Sequence, residues 1–138
     1  MRFMVLVKGN ADSESGVLPS AEMLAEMGKF NEEMVQAGVM LAGEGLQPSS
    51  KGARINWTAG TPSVIDGPFT QAKDLVAGFW LIQVKSKEEA IEWMSRAPFR
   101  DAQVEIRQVF EAEDFGEEFP PELRQQEERL RAQVAPKK

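Results

Sequence analysis

The sequence predicts an α+β fold: two strand–helix–strand halves, a β-hairpin inserted between them, and a second copy packed against the sheet. Three observations predict it. Two segments carry apolar residues at helical spacing and are bracketed by capping signals. The segments between them are short runs of β-forming residues. One of those runs, residues 75–84 (Leu-Val-Ala-Gly-Phe-Trp-Leu-Ile-Gln-Val), is apolar on both faces until Gln83. A half-exposed antiparallel strand would alternate, so both faces of this one need cover. Two helices can cover one face, and a second subunit is the natural cover for the other.

Each element follows in order. Residues 2–8 (Arg-Phe-Met-Val-Leu-Val-Lys) read as a buried strand. Residues 10–16 are polar and read as a loop. Pro19-Ser20 opens a helix to about Ala37, in which Met23, Met27, Phe30, Met34 and Ala37 form one stripe, and Gly38 is placed to cap its end. Methionines on that stripe suit either a helix core packed on a sheet or a soft ligand-binding surface, and core is the commoner use. A strand from residue 39 passes through Gly43-Glu44-Gly45-Leu46. Two glycines inside a strand point to a bulge, or to a close approach by another backbone or a ligand. The glycines do not form a phosphate loop, because Gly45 to Lys51 lacks the GxxxxGK spacing and no helix follows.

Residues 53–58 alternate, 59–62 turn, and 63–66 return, which gives the hairpin. After the strand at 75–84, Ser86-Lys87-Glu88-Glu89 is a capping box that starts a helix through Ala97, with Pro98 as its stop. Residues 103–110 alternate, with Val104, Ile106 and Gln108 on one side and Glu105, Arg107 and Val109 on the other. This order, with the hairpin removed, is ferredoxin-like βαββαβ, and two such sheets face to face make a dimeric α+β barrel with a cavity. From Glu111 the composition becomes acidic with Phe110, Phe115 and Phe119 interleaved, and Pro120-Pro121 opens a polar helix to about Val134. Residues 1–115 therefore form one domain, and 116–138 a polar helical arm, either solvated or laid on the partner.

Composition excludes several kinds of chemistry. The net charge of −6 and the small basic cluster of Lys51 and Arg54 do not suit a nucleic-acid binder. There is no Cys, His or Tyr. That removes thiol nucleophiles, disulfides, thiolate or imidazole metal sites and the usual neutral-pH acid–base group. No metal or cofactor is expected. No run of eighteen apolar residues occurs, and residues 1–7 are too short for a leader, so a cytoplasmic location away from membranes is expected.

The main motif is Asp66-Gly67-Pro68-Phe69, followed by Thr70-Gln71-Ala72-Lys73-Asp74. Asp-Gly-Pro is turn chemistry, and the Asp can bond backbone groups ahead of it. The same carboxylate, at the end of a strand, could also face a cavity, since a turn uses only some of its lone pairs. Glu44 is a second candidate acid, or a bulge residue satisfied by backbone. Lys73 is a candidate partner for an anionic intermediate, or a surface ion pair with Asp74. The candidate catalytic set is thus Asp66, Glu44 and Lys73. The candidate ligand-contacting set is Phe69, Phe79, Trp80 and Met34.

Phe30-Asn31-Glu32-Glu33-Met34, Ala37-Gly38, Gly43-Glu44-Gly45-Leu46-Gln47-Pro48, Asp66-Gly67-Pro68-Phe69 with Lys73, and Gly78-Phe79-Trp80 together resemble the DGPF branch of the YCII-related proteins over roughly residues 1–115. The resemblance implies a small bacterial cytoplasmic protein with a ferredoxin-like dimeric α+β barrel fold. It also implies no settled activity. The founding branch carries a His and Asp pair suspected of catalysis. Asp66 matches that Asp, and the His has no counterpart here. The branch usually carries a Glu two residues after the Phe, where this chain has Gln71; Lys73 keeps the branch's basic position. Branch members are associated with sigma-factor systems.

Two functions follow. One is a dimer that binds a small metabolite in the barrel cavity and has a regulatory role. The other is an isomerase, lyase or hydrolase with Asp66 as general base, which requires Asp66, Glu44 and Lys73 to converge beside Phe69, Phe79 or Trp80. The scarcity of titratable side chains favours the first.

Overall fold

The computed structural model describes residues 1–71, 74–118 and 120–134. The chain is α+β and divides into two compact units, Met1–Gln108 and Val109–Lys138.

In the first unit the order is β1 (Arg2–Lys8), α1 (Ala11–Glu14), α2 (Ala21–Gln36), β2 (Met40–Gly45), a 3-10 turn (Ser49–Lys51), β3 (Ala53–Thr58), β4 (Thr61–Asp66), β5 (Val76–Gln83), α3 (Lys87–Ser95) and β6 (Val104–Gln108). Four strands form one antiparallel sheet in the order β2-β5-β1-β6. β3 and β4 form a separate two-stranded sheet.

Local chemistry sets the helix ends. Ser20 caps α2 by accepting from the Met23 amide at 3.1 Å. At the other end Gly38 has φ +72, the Val39 amide reaches back to the Met34 carbonyl, and the Gly38 amide to that of Val35. This paired closure needs a residue that tolerates the left-handed region, which glycine does at no steric cost. Ser86 caps α3 by accepting from the Glu89 amide, and Glu89 reaches back to the Lys85 amide. The expected loop at residues 10–16 is instead the short helix α1. Asn10 accepts from the Ser13 amide while the Ser13 hydroxyl accepts from the Asn10 amide. A reciprocal cap between two polar side chains stabilises a turn of helix with no apolar periodicity to announce it.

The core lies on one face of the sheet. Phe3 and Val5 of β1 and Trp80 and Ile82 of β5 pack with Phe30 and Met34 of α2 and Ala90 and Met94 of α3. Both helices therefore cover the same face. Side chains alternate along a strand, so Met4, Leu6, Ala77, Phe79 and Leu81 leave the sheet on the opposite face. They are half-buried and take no part in the core cluster. The charged residues Lys8, Glu105 and Arg107 adjoin them, with Glu105 paired to Arg107 at 3.2 Å.

The hairpin is exposed along both strands. Its two-residue connection, Ala59-Gly60, has φ of +51 and +82. Positive φ at both positions matches the twist of the flanking strands. Its register places Ile55 opposite Val64 and Trp57 opposite Pro62, an apolar face with Trp57 67% exposed.

The second unit holds a 3-10 segment (Ala112–Glu118), kinked at Gly116, and α4 (Pro121–Val134). Arg124 donates to the Ala112 and Gly116 carbonyls, both at 3.3 Å, and Phe110 and Phe115 pack with centroids 5.1 Å apart. Phe119 lies outside the described residues.

Candidate functional site

Three glycines open a cleft between α2 and the sheet. Gly45 of β2 pairs with Gly78 of β5, and Gly43 pairs with Trp80. Directly paired residues share a face, so Gly43, Gly45 and Gly78 all lie on the helix-covered face, where they leave the sheet without side chains. The irregularity of β2 falls between Met40 and Ala42, not at the glycines. Their role is space. A Cβ on Gly43 would stand 2.7 Å from Trp80 Cδ1, and one on Gly78 would stand 3.0 Å from the Glu44 carbonyl oxygen.

The cleft has a volume of about 290 Å³. Val7, Pro19, Met27, Asn31, Trp80 and Phe99 line it together with β2 residues 43–45 and β5 residues 77–79. Trp80 is its fixed wall. It is 6% exposed and stands edge-on to Phe30 at 5.9 Å and to Phe99 at 6.0 Å. Its indole Nε1–H donates to Asn31 Oδ1 at 3.0 Å. Glu44 and Phe79 are cross-strand partners and alternate with Gly43 and Trp80. Their side chains thus leave the sheet on the far face, and both residues border the cleft through their strand backbone.

The Asp66 turn is a separate construction. Asp66 is the last residue of β4, paired with Ala53, and its side chain is exposed. It does not line the cleft. The turn is held by residues far away in sequence. Ser49 Oγ accepts from the Phe69 amide at 2.9 Å and donates to Glu14 Oε1, and the Ser49 amide donates to Glu14 Oε2 at 3.0 Å. Those two bonds, the hydroxyl's being the stronger influence, hold the Glu14 carboxyl below its ordinary value of 4.5. Gly67 is required by space. A Cβ there would run into the Ser49 carbonyl oxygen. The Gly67–Pro68 bond is cis, and the Arg54 guanidinium stacks 3.9 Å above the Phe69 ring.

Of the residues expected from sequence, Trp80 faces the cleft with its side chain, Glu44 and Phe79 border it through their backbone alone, and Asp66 and Phe69 belong to the turn beside the hairpin. Met34 is fully buried in the core and does not line the cleft. Lys73 lies outside the described residues. Phe99 and the Ser49–Glu14 pair were not singled out from sequence, while Met27 was named on the methionine stripe and Asn31 only within the Phe30–Met34 motif. Asn31 stands one residue from the stripe residue Phe30, and that adjacency was the available signal. Nothing links Glu14 to Ser49 in sequence. Among the described residues no three His, Cys, Asp or Glu side chains are placed to hold a metal, and no described helix is long and apolar enough to cross a membrane.

Fold and cleft together define a small α+β protein with an apolar pocket on the helix-covered side of an antiparallel sheet. The YCII-related domain family matches residues 1–113, and the chain belongs to that family. It is similar to uncharacterized protein R00369 of Rhizobium meliloti (strain 1021), with 30% identity over 71 residues. The match takes in 51% of this chain and 57% of that relative, so the chain spans little over half of its length.

Proposed function

We propose that this protein is a homodimer that binds a small metabolite and acts by binding, in a regulatory role. The observation that carries the reading is the cleft. It has aromatic and aliphatic walls, a glycine floor, and one polar side chain, Asn31, among the residues whose side chains face it. Such a concave, apolar site with few polar groups suits ligand capture. Acid–base catalysis needs a titratable group within reach of the substrate. Asp66 is exposed at the turn, and Glu44 borders the cleft through its backbone, so the enzyme reading has less to work with. The resemblance to sigma-factor-associated relatives supports regulation.

The strand order β2-β5-β1-β6, taken without the hairpin, supports a ferredoxin-like assignment. The Asp66-Gly67-Pro68-Phe69 quartet supports placement in the DGPF branch, and a cytoplasmic location belongs to the same proposal. The face carrying Met4, Leu6, Phe79 and Leu81 is the surface on which two copies would pack into a dimeric barrel. It joins an apolar centre to the charged pair Glu105–Arg107, the pattern of an apolar core with a polar rim.

A metabolite panel screened by thermal shift tests the binding reading. At least one compound should raise Tm in proportion to its concentration. The effect should vanish in Gly45→Leu, where nothing lies within 4 Å of an added Cβ and the side chain fills the cleft. A Tm shift unchanged in that variant would place the ligand elsewhere. Sedimentation tests the dimer: wild type should sediment as a dimer and Leu81→Glu as a folded monomer. A wild-type monomer at micromolar concentration would overturn it.

A further inference from the structure

Within the cleft one group decides what kind of ligand fits. Trp80 Nε1–H is a donor with no acceptor capacity. It points at Asn31 Oδ1 at 3.0 Å. That bond fixes which end of the Asn31 amide faces the indole, because only the carbonyl end can accept. The amide's NH2 end, with two donors, is then left over, and it makes no hydrogen bond among the described residues. Asn31 lines the cleft opposite the bare glycine floor. Trp80 itself is pinned by Phe30 and Phe99, so the amide cannot turn over without stranding a buried indole N–H.

Resting on the binding reading above, we propose that Asn31 is the polar anchor of the cleft, and that its ligand class is a neutral, flat, apolar molecule with one carbonyl-type acceptor. The acceptor takes the Asn31 NH2, and the body lies against Trp80 and Phe99. Charge selects against an anion. No cleft-lining residue among those described is cationic. The chain as a whole carries −6. A carboxylate would enter without a counter-charge, which is costly in an apolar site.

The test uses acetophenone and ethylbenzene, bodies of similar shape with and without the carbonyl, followed by the Trp80 indole and Asn31 NH2 resonances of full-length protein. Acetophenone should bind about tenfold tighter than ethylbenzene, near the value of one net hydrogen bond, and should shift the Asn31 NH2 pair. Asn31→Asp keeps an acceptor towards Trp80 and removes both donors. It should erase the preference, bringing the ratio of acetophenone to ethylbenzene affinity to about one or below. Equal binding of the two probes to wild type, with the Trp80 resonance moving, would overturn the anchor and leave the cleft as a binding site. No movement of Trp80 with either probe at saturation would overturn the cleft reading and the anchor with it. Because the two probes are compared on wild type, that comparison decides the matter even where Asn31→Asp folds poorly. Benzoate binding as tightly as acetophenone would overturn the neutral class.

Discussion

The cleft and the Asp66 turn are built in opposite ways. The cleft is cut into the sheet beside the core. Its geometry comes from missing side chains, at Gly43, Gly45 and Gly78, and from one buried indole. The turn lies beside an exposed hairpin, and its geometry comes from polar side chains reaching across loops, Glu14 to Ser49 and Ser49 to Phe69. Of the two described candidate acids, Asp66 stands at the turn and Glu44 borders the cleft through its backbone, while the apolar space lies at the cleft. An enzyme would need acid and apolar space in one place. The distance of Asp66 from the cleft is the observation behind the proposed binding role.

Two tryptophans give the largest contrast. Trp80 is 6% exposed and Trp57 is 67% exposed. Trp80→Ala should cost about 3–5 kcal/mol by urea unfolding, the range for deleting a buried aromatic, and should abolish cleft binding. Trp57→Ala should stay within about 0.5 kcal/mol. A loss at Trp57 comparable to that at Trp80 would show that the hairpin's apolar face is covered in the assembled protein.

Two glycines give the next. Gly43→Ala sets a methyl 2.7 Å from both the Trp80 ring and Met40 Cε. Met40 can yield, but Trp80 is held by Asn31, so a cost of about 1–3 kcal/mol is expected. Gly45→Ala meets nothing within 4 Å. It should leave the unfolding midpoint within about 0.5 kcal/mol of wild type and weaken ligand-induced thermal shifts. Equal destabilisation by the two would mean that strand conformation, rather than the approach of Trp80, selects these glycines.

Much of the first unit was legible because its signals are periodic or capped. Ser20, Gly38 and Ser86 mark helix ends by local chemistry, and the apolar runs at residues 2–8 and 75–84 mark the buried strands that carry Phe3 and Ile82. The glycines of β2 were legible as a close approach, though not as the floor of a cleft, since that depends on Gly78 lying opposite Gly45 across two strands. Asp66 was legible as a strand-end turn residue. What holds that turn was not, because Glu14 and Ser49 are 35 residues apart and a side-chain bond of that span leaves no pattern. Asn31 was hidden for a related reason. Its importance comes from the orientation that Trp80 imposes across 49 residues, and residue type alone does not record it.

The smallest expected effect separates the two regions by pH. Glu14 is held below its ordinary 4.5 because the Ser49 hydroxyl, and to a lesser degree the Ser49 amide, donate to the ionised carboxylate. A carboxylate with a depressed folded value contributes stability that is complete above 4.5 and is lost as pH falls through the folded value. Acidification should therefore loosen the turn: the protonated Glu14 carboxyl is a weaker acceptor for Ser49, and the Phe69 amide bound to Ser49 Oγ shifts with it. Followed by NMR, the Glu14 midpoint should lie below 4.5 in wild type and return towards 4.5 in Ser49→Ala. Asn31, the polar side chain facing the cleft, is not titratable, so the Trp80 indole signal should stay still over the same window. If Trp80 moved in step with Glu14, turn and cleft would share one equilibrium. Protonation at the turn could then alter ligand binding, and the division of labour between the two regions would have to be abandoned.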